Sequence, residues 1–341
     1  GLLLPLTGPN ASLGQGMLDA AQIALFDIQG GRLALLPRDT HGTANGAAAA
    51  ARDVLDQGAH LLIGPLTAPE VDAVKPIAAE RGVAVLGFST LANVAGDGTY
   101  VMGLLPSEEV RRVVSFAHQK GAQRFAVLAP GSAYGQLVVQ ALRTEADAEQ
   151  VSVVDPVFFD PGAVDLAPSV RQLTHYDKSK PAEAGFDAVL LPEGGQQLKL
   201  LGPLLPQYGI DPTKVHYLGT GLWDDPSLAS ESELEGAWYA APDPNGRADF
   251  EKRFAMLYGH PPPRLATLAY DATALAAALS RGPEGADFSA DALTNPNGFL
   301  GLDGIFRFRA DGRVERGLAV IEIHKTGSTI LSPEPQSFSG F

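Results

Sequence analysis

The chain has 341 residues, is 45% hydrophobic and 19% charged, and carries a formal net charge of −14 from 25 Lys+Arg against 39 Asp+Glu. A single core stops growing at roughly 250–300 residues, so two domains are expected, and an acidic chain without a basic run argues against nucleic acid as a partner. With no cysteine, disulfides, thiolate metal sites and a cysteine nucleophile are excluded, and no apolar run approaches the ~20 residues that span a bilayer.

In chain order, Leu2–Leu6 reads as a buried strand and Gly14–Gln29 as a helix with Met17, Ala21, Ala24, Leu25 and Ile28 on one face. Strands at Arg32–Pro37, His60–Ile63, Val83–Gly87 and Tyr100–Leu104 alternate with an Ala-rich helix through Leu55 and a helix at Pro69–Glu80. Ser107 is expected to cap a helix carrying Val110, Val113, Val114 and Ala117, with Glu108 and Glu109 in its first turn. The pattern restarts at Gly121 with strands Phe125–Leu128 and Val151–Phe159 around a helix at Gly135–Glu145. A helix over Leu166–Tyr176, a polar loop over DKSKPAEAG and a strand at Phe186–Leu191 follow. The next helix carries Leu198, Leu201 and Leu205 and is expected to break at Pro203 and Pro206, before strands at Val215–Leu218 and Gly236–Ala241. Two helices then show the stripes Phe250, Phe254, Leu257 and Leu268, Ala272, Leu275, Leu279. Gly304–Phe308 and Leu318–Ile323 read as an antiparallel hairpin about Asp311-Gly312.

Alternating strands and helices predict an α/β fold with mostly parallel, doubly covered sheets. Much of the opening, GLLLPLTGPNASLGQGMLDAAQIAL, recurs at Arg124 as RFAVLAPGSAYGQLVVQAL: apolar strand, Gly/Ser turn, Gly-Gln pair and striped helix. That duplication predicts two similar lobes, residues 1–120 with 242–310 and residues 121–241 with 311–341, joined by three crossings near Ala122, Ala241 and Ala310. Open α/β sheets bind ligands beyond the carboxyl ends of their strands, so two facing rims would favour a clamshell binder over an enzyme.

Catalysis finds no positive support in the residues. The seven histidines are scattered, without an HExxH or paired-ligand spacing. Gly87–Leu91 lacks the second glycine of a nucleophile elbow. Asp224 and Asp19 stand where a dinucleotide fingerprint needs its third glycine, and Asp224-Asp225 before Pro226 reads as a turn before it reads as a carboxylate pair. No metal or cofactor is expected. The strand ends Gly64–Thr67, Phe88–Thr90, Ser132–Gly135, Pro192–Gly195 and Gly219–Asp224 carry small and polar groups instead. Turns use such residues anyway; their shared placement at one end of the strands is what makes them a candidate site.

The order of these elements, together with LTGPNASLGQG, Ile63-Gly64-Pro65, GSAYGQ, LGTGLW and LAYDA, resembles the type I periplasmic binding fold along essentially the whole chain. Its members include substrate-binding proteins of branched-chain amino acid transporters. The resemblance implies two α/β lobes, three hinge strands and a central cleft. Amino acid binders of the family hold the ligand carboxylate with first-lobe hydroxyls and backbone N–H groups, and the ammonium with a second-lobe acid. Here Pro69 and Leu91 fall at the hydroxyl positions and Gly221 at the acid position; Leu13 and Gly194 replace aromatic residues, while Tyr134 is retained. Losing three charge-assisted hydrogen bonds, each worth roughly 1.5–3 kcal/mol, disfavours a free α-amino acid unless Glu193 or Asp224 replaces the lost acid.

LGTGLWDDP, GAWYAAPDP, PPRLATLAYDA and GIFRFRADGRVERGLAVIEI further resemble the penicillin-binding protein activators, envelope lipoproteins of the same fold. The expectation is therefore a non-enzymatic regulator or sensor of the Gram-negative envelope, with a peptidoglycan synthase as partner; the alternative is the substrate-binding protein of an amino acid or amide ABC importer, with a permease as partner. Gly1 opens inside a strand, so a leader or lipid-bearing cysteine is expected upstream. A small polar ligand would meet Thr67, Ser89 and Thr90 on the first lobe and Tyr134, Glu193, Trp223 and Asp224 on the second. Trp223 would serve as a flat apolar wall or as lobe packing.

Overall fold

Apolar runs punctuated by Gly and Pro turns fold here into strand–helix alternation. The computed structural model describes residues 1–28, 33–177, 179, 184–282 and 285–338. Its elements begin with β1 (Leu2–Leu4), α1 (Ala11–Asp27), β2 (Pro37–Asp39), α2 (Ala44–Asp56), β3 (Leu61–Ile63), α3 (Ala68–Glu80), β4 (Ala84–Gly87) and β5 (Thr99–Val101). Next come α4 (Pro106–Gln119), β6 (Arg124–Pro130), α5 (Ala133–Glu149), β7 (Ser152–Val153), β8 (Val157–Phe159), α6 (Ala167–Leu173), β9 (Ala188–Leu190), α7 (Gly195–Gln207), β10 (His216–Gly219) and β11 (Trp238–Ala241). The chain continues through α8 (Pro244–Tyr258), α9 (Ala266–Leu279), α10 (Ala290–Leu293), β12 (Phe299–Gly301), β13 (Gly304–Phe308), β14 (Val314–Arg316), β15 (Ala319–His324) and β16 (Gly327–Ser332).

These elements form two compact units. Unit 1 holds residues 1–105, 242–317 and the described C-terminus from Pro335; unit 2 holds residues 106–241 and 318–334. In unit 1 the parallel sheet runs β2-β1-β3-β4-β5. Period-2 alternation sends Leu2, Leu4, Ile63 and Leu86 toward Met17 and Ala21 of α1 and Leu268, Ala272 and Leu275 of α9. The intervening Leu3, Leu62 and Val85 meet Ala47, Ala51 and Val54 of α2 and Val74 and Ala78 of α3. Unit 2 repeats the strand order as β7-β6-β9-β10-β11, all parallel, with β8 also on β6 and with β15 and β16 adding an antiparallel edge. There Phe125, Val127, Leu190 and Leu218 pack on α4 and α5, and Ala126, Leu128, Val189 and Tyr217 on α6 and α7.

Several elements differ from the sequence expectation. Gly14 lies inside α1 rather than opening it, and β2 begins only at Pro37; residues 29–32 and most of DKSKPAEAG lie outside the described residues. Ser107 is the second residue of α4, not its cap. Val151–Phe159 divides into β7 and β8 around Asp155-Pro156, since proline cannot donate to a ladder. Helix α7 runs through both Pro203 and Pro206. Each proline costs about 3 kcal/mol, and complete burial of Leu198, Leu201 and Leu205, at roughly 1.5–3 kcal/mol apiece, is large enough to offset that.

The anticipated C-terminal hairpin is two different structures. The turn at Asp311-Gly312 is real, but β13 pairs with β14 and β12 in a small antiparallel sheet of unit 1. Strand β15 belongs to unit 2, pairing with β11 and β16. The unit boundaries move accordingly. Helix α4 joins unit 2, where Val110, Val113, Val114 and Ala117 share a core with Val138 and Leu142 of α5, and residues 311–317 join unit 1. The chain passes between units at 105/106, 241/242, 317/318 and 334/335.

Helix α9 is tied to the β12–β13 turn by buried charge. The Leu302 N–H donates to Asp271 Oδ1 at 2.7 Å, Thr267 Oγ1 donates to Asp303 Oδ2 at 2.6 Å, and Arg264 Nη2 stands 3.0 Å from Asp303 Oδ1. Burial, reinforced by the Asp303 charge, pushes the Asp271 pKa up to about 7. Burial acts the same way on Asp303, but Arg264 and Arg316 outweigh it and hold that carboxyl below its ordinary value. For Asp271 the folded chain binds the proton more tightly than the unfolded chain. Its contribution to stability is complete below about pH 4 and fades as pH rises through about 7. Replacing Asp271 with Asn, which keeps an acceptor for Leu302, is expected to flatten the fall in denaturation midpoint across that window. An unaltered pH slope would exclude Asp271 as its source.

The same kind of tight contact occurs within each unit. A Cβ placed on Gly14 would overlap the carbonyl oxygen of Pro5 at the end of β1, and one on Gly135 would overlap that of Pro130 at the end of β6. Gly135→Ala is expected to lower unfolding stability by about 1–3 kcal/mol, the usual cost of overpacking. Gly162→Ala, whose added carbon meets only Asp160 Oδ1 at 3.5 Å, should stay within about 0.5 kcal/mol. Equal denaturation midpoints for both variants would show that the glycine contact does not constrain the fold.

Candidate functional site

A 2-1-3-4-5 strand order reverses direction beside its first strand, and ligands of open sheets lie at the carboxyl ends there. In unit 1 the loops after β1 and β3 flank that point; in unit 2 it is the loops after β6 and β9.

On unit 1 the loop after β1 is fastened to the end of β2. Asp39 Oδ1 accepts the N–H groups of Leu6 (2.9 Å), Thr7 (3.2 Å) and His41 (2.8 Å), and Asp39 Oδ2 accepts the Thr7 hydroxyl at 2.7 Å. His41 Nδ1 lies 2.7 Å from Thr7 Oγ1. Partial burial of Asp39 opposes ionisation, but the bonds from Thr7, His41 and Leu6 prevail and hold its pKa below the usual value. Asp39 and His41 had no motif to mark them in the sequence.

The loop after β3 carries Thr67, the residue before α3. Its N–H and hydroxyl both donate to Glu70 Oε2, at 3.0 and 2.6 Å, and Thr40 donates to Glu70 Oε1 at 2.5 Å. Thr67 is half-buried, its proton goes to Glu70 and its oxygen faces the Glu70 N–H in a capping box, leaving one hydroxyl lone pair that a ligand could use. The adjacent loop is bound to this one by the Phe88 N–H on the Pro65 carbonyl, 2.9 Å. Thr90 is exposed. Ser89 departs from the expectation: it is 2% exposed and its Oγ accepts the Leu91 N–H at 3.0 Å, so it holds the turn rather than presenting a hydroxyl.

On unit 2, Ser132 caps α5 by accepting the Gly135 N–H at 3.2 Å, which sets Tyr134 in the first turn. The Tyr134 phenol meets Thr220 Oγ1 at 2.8 Å and so joins the loop after β6 to the loop after β10. Burial foremost, then the carboxylates of Glu109 and Glu193, raise the Tyr134 pKa well above that of free tyrosine; the phenol stays protonated and can donate. Glu193 is half-buried after β9 and its Oε1 accepts the Gly194 N–H at 3.0 Å.

Trp223 is a correction. It is 1% exposed, within the core formed with α6 and α7, and its ring occupies the space a side chain on Gly219 would need. Its indole N–H donates to the Glu193 carbonyl at 2.8 Å. Trp223 supports the Glu193 loop from beneath and offers no ligand wall. Asp224, half-buried, closes the short 3-10 turn Gly221–Trp223, and Asp225 accepts the Ser227 N–H at 2.8 Å as a turn carboxylate. The structure therefore brings Tyr134 and Glu193 together on unit 2, adds Thr220, and introduces a residue that sequence reading placed only in a helix: Glu109 accepts the Gly221 N–H at 3.0 Å. Among the described residues no group of three or more His, Asp or Glu side chains is arranged to hold a metal ion, and no helix is long and apolar enough to cross a membrane.

Comparison with known proteins identifies the family and the fold. Leu/Ile/Val-binding protein BraC3 of Rhizobium johnstonii is 26% identical over 206 residues; that stretch is 57% of this chain and only 55%, about half, of the relative. A branched-chain amino acid ABC transporter periplasmic ligand-binding protein from Burkholderia xenovorans superposes with a TM-score of 0.80 at 18% identity, covering 98% of this chain and 95% of that one. A solute-binding protein of an ABC transporter from Rhodopseudomonas palustris, solved with 3,4-dihydroxybenzoic acid, gives 0.70 at 16% identity, covering 99% and 96%. At those identities the structures show a shared fold. Residues 1–328 match the family model described as periplasmic binding protein, and the chain belongs to that family, with its type I fold.

Proposed function

We propose that this protein is the periplasmic solute-binding component of an ABC importer of the branched-chain amino acid type, taking a small polar organic ligand and delivering it to a permease. The observation that carries the reading is the family match over residues 1–328, and the polar strand ends of each unit support it. One named relative is a Leu/Ile/Val-binding protein and two similar structures are ligand-binding or solute-binding proteins of ABC transporters, which supports the importer role over the envelope-regulator role implied by the resemblance. A peptidoglycan synthase partner and a lipid anchor have no such support.

Taken by itself, unit 1 offers a ligand the hydroxyl and backbone groups at Thr67 and Thr90; unit 2, taken by itself, offers the Tyr134 phenol and the Glu193 carboxylate. The hydrogen-bonded loops make these groups rigid before a ligand arrives, which lowers the ordering cost of binding. The relatives' names span leucine, isoleucine and valine and a dihydroxybenzoic acid, so both classes belong in a ligand search.

Thermal unfolding with branched-chain amino acids, their amides and hydroxybenzoates tests the reading. At least one compound should raise the midpoint, since ligand at a hundredfold excess over Kd adds about 2.7 kcal/mol. Tyr134→Phe, which removes one hydroxyl from the rim, should weaken that compound by about 0.5–1.5 kcal/mol in calorimetry. Midpoints unmoved by every compound would overturn the importer reading.

A further inference from the structure

We infer that His41, beyond the carboxyl end of β2, is the residue with which unit 1 recognises a hydroxyl group on the ligand, through its free ring nitrogen Nε2. The inference rests on the ligand-binding role proposed for the chain and deepens it, from a ligand in general to one that offers a neutral hydrogen-bond donor. Strand β2 lies next to β1 where the sheet order reverses, and the residues at its end bind the loops on either side of that point. Asp39 holds the loop after β1, through the N–H groups of Leu6 and Thr7. Thr40 holds the start of α3, through its 2.5 Å bond to Glu70. His41 follows directly and so shares one hydrogen-bonded frame with Thr67, which also donates to Glu70. Its backbone is left-handed, with φ 54°, a conformation uncommon outside glycine, and Gly42 continues it at φ 64°. The His41 N–H on Asp39 Oδ1 at 2.8 Å pins that turn, and the imidazole reaches back to Thr7.

The hydrogen bonds around the ring fix its tautomer. Nδ1 faces two oxygens, Thr7 Oγ1 at 2.7 Å and Asp39 Oδ2 at 3.0 Å. Asp39 already takes three backbone N–H groups and the Thr7 hydroxyl, so it acts as an acceptor alone. With the Thr7 proton turned to Asp39, both oxygens facing Nδ1 call for a donor, and the ring hydrogen sits there. In the neutral ring the lone pair is then on Nε2. That nitrogen has no partner among the described residues, and 63% of the His41 side chain is exposed. A ligand that covers Nε2 displaces its water, and only a ligand with a hydrogen to give restores the bond. A carboxylate has none to give, and an ammonium would find the Asp39 charge committed to its own donors. A methyl in place of the hydroxyl leaves the lone pair unpaired, which is how such a site separates the two.

Calorimetry on the full chain with two pairs of probes that differ in hydroxyl content, threonine against valine and 3,4-dihydroxybenzoate against benzoate, tests the assignment. Wild type should prefer the hydroxyl-bearing member of at least one pair by roughly three- to tenfold. His41→Asn suits a left-handed backbone, and its shorter amide can still meet Thr7 but ends before the position of Nε2. It should cut that preference to under about twofold. Nitrogen NMR of the wild type should show His41 with its hydrogen on Nδ1, the signals being identified by their loss in His41→Asn, and the preferred probe should shift Nε2. A hydrogen on Nε2, an equal preference in wild type and variant, or no hydroxyl preference in either pair would overturn the inference while leaving the importer role standing. So would a wild type that binds none of the four probes but takes another compound of the wider panel. Wild type binding no compound of that panel would remove the importer role and this assignment together.

Discussion

Each unit depends on a helix settling directly onto the end of the strand before it. Gly14 of α1 lies on the Pro5 carbonyl and Gly135 of α5 on the Pro130 carbonyl, at separations that leave no room for a side chain. Close approach of backbone to backbone fixes where the intervening turn projects. It also places helix N–H groups, whose partners are missing in the first turn, at the sheet's carboxyl edge. The helix faces then follow, with Met17 and Ala21 in one unit and Val138 and Leu142 in the other completing the sheet cores. The recurrence of this contact in both units is the structural counterpart of the sequence repeat.

Polar groups at the two rims are held by different means. On unit 1 a single carboxylate, Asp39, gathers three backbone N–H groups and a hydroxyl, while Glu70 gathers both hydroxyls that face it. Donors there are largely consumed in shaping the loops. On unit 2 the phenol of Tyr134 bridges to Thr220 under the influence of the Glu109 and Glu193 carboxylates, so acceptors dominate. The sheets are alike in topology; the chemistry at their edges is not.

The strand–helix alternation was legible because periodicity reports burial. Leu2 and Leu4 against Leu3 reads as a strand buried on both faces, and it is one. The end of the chain was harder. Glu315 and Arg316 are buried polar residues in β14, so a real strand carried no apolar signal, and the reading passed over it to the next apolar run. The prolines of α7 misled for the opposite reason, since local propensity was overridden by leucines packed in the core. Within the site, Tyr134 and Glu193 followed from their strand ends. Glu109 could not, because its partner Gly221 is 112 residues away in sequence and belongs to a different element. Trp223 was ambiguous from sequence: an aromatic after a strand suits a ligand or a core equally, and only Gly219 beneath it decides.

That placement has an optical consequence. The chain has two tryptophans, and Trp238 stacks on the His216 imidazole with ring centroids 4.0 Å apart. Trp223 sits in an apolar setting with its indole N–H on the Glu193 carbonyl, so its emission reports whether that loop is seated. The protein thereby carries an intrinsic fluorophore under one rim, with a second whose brightness follows the charge on a neighbouring imidazole.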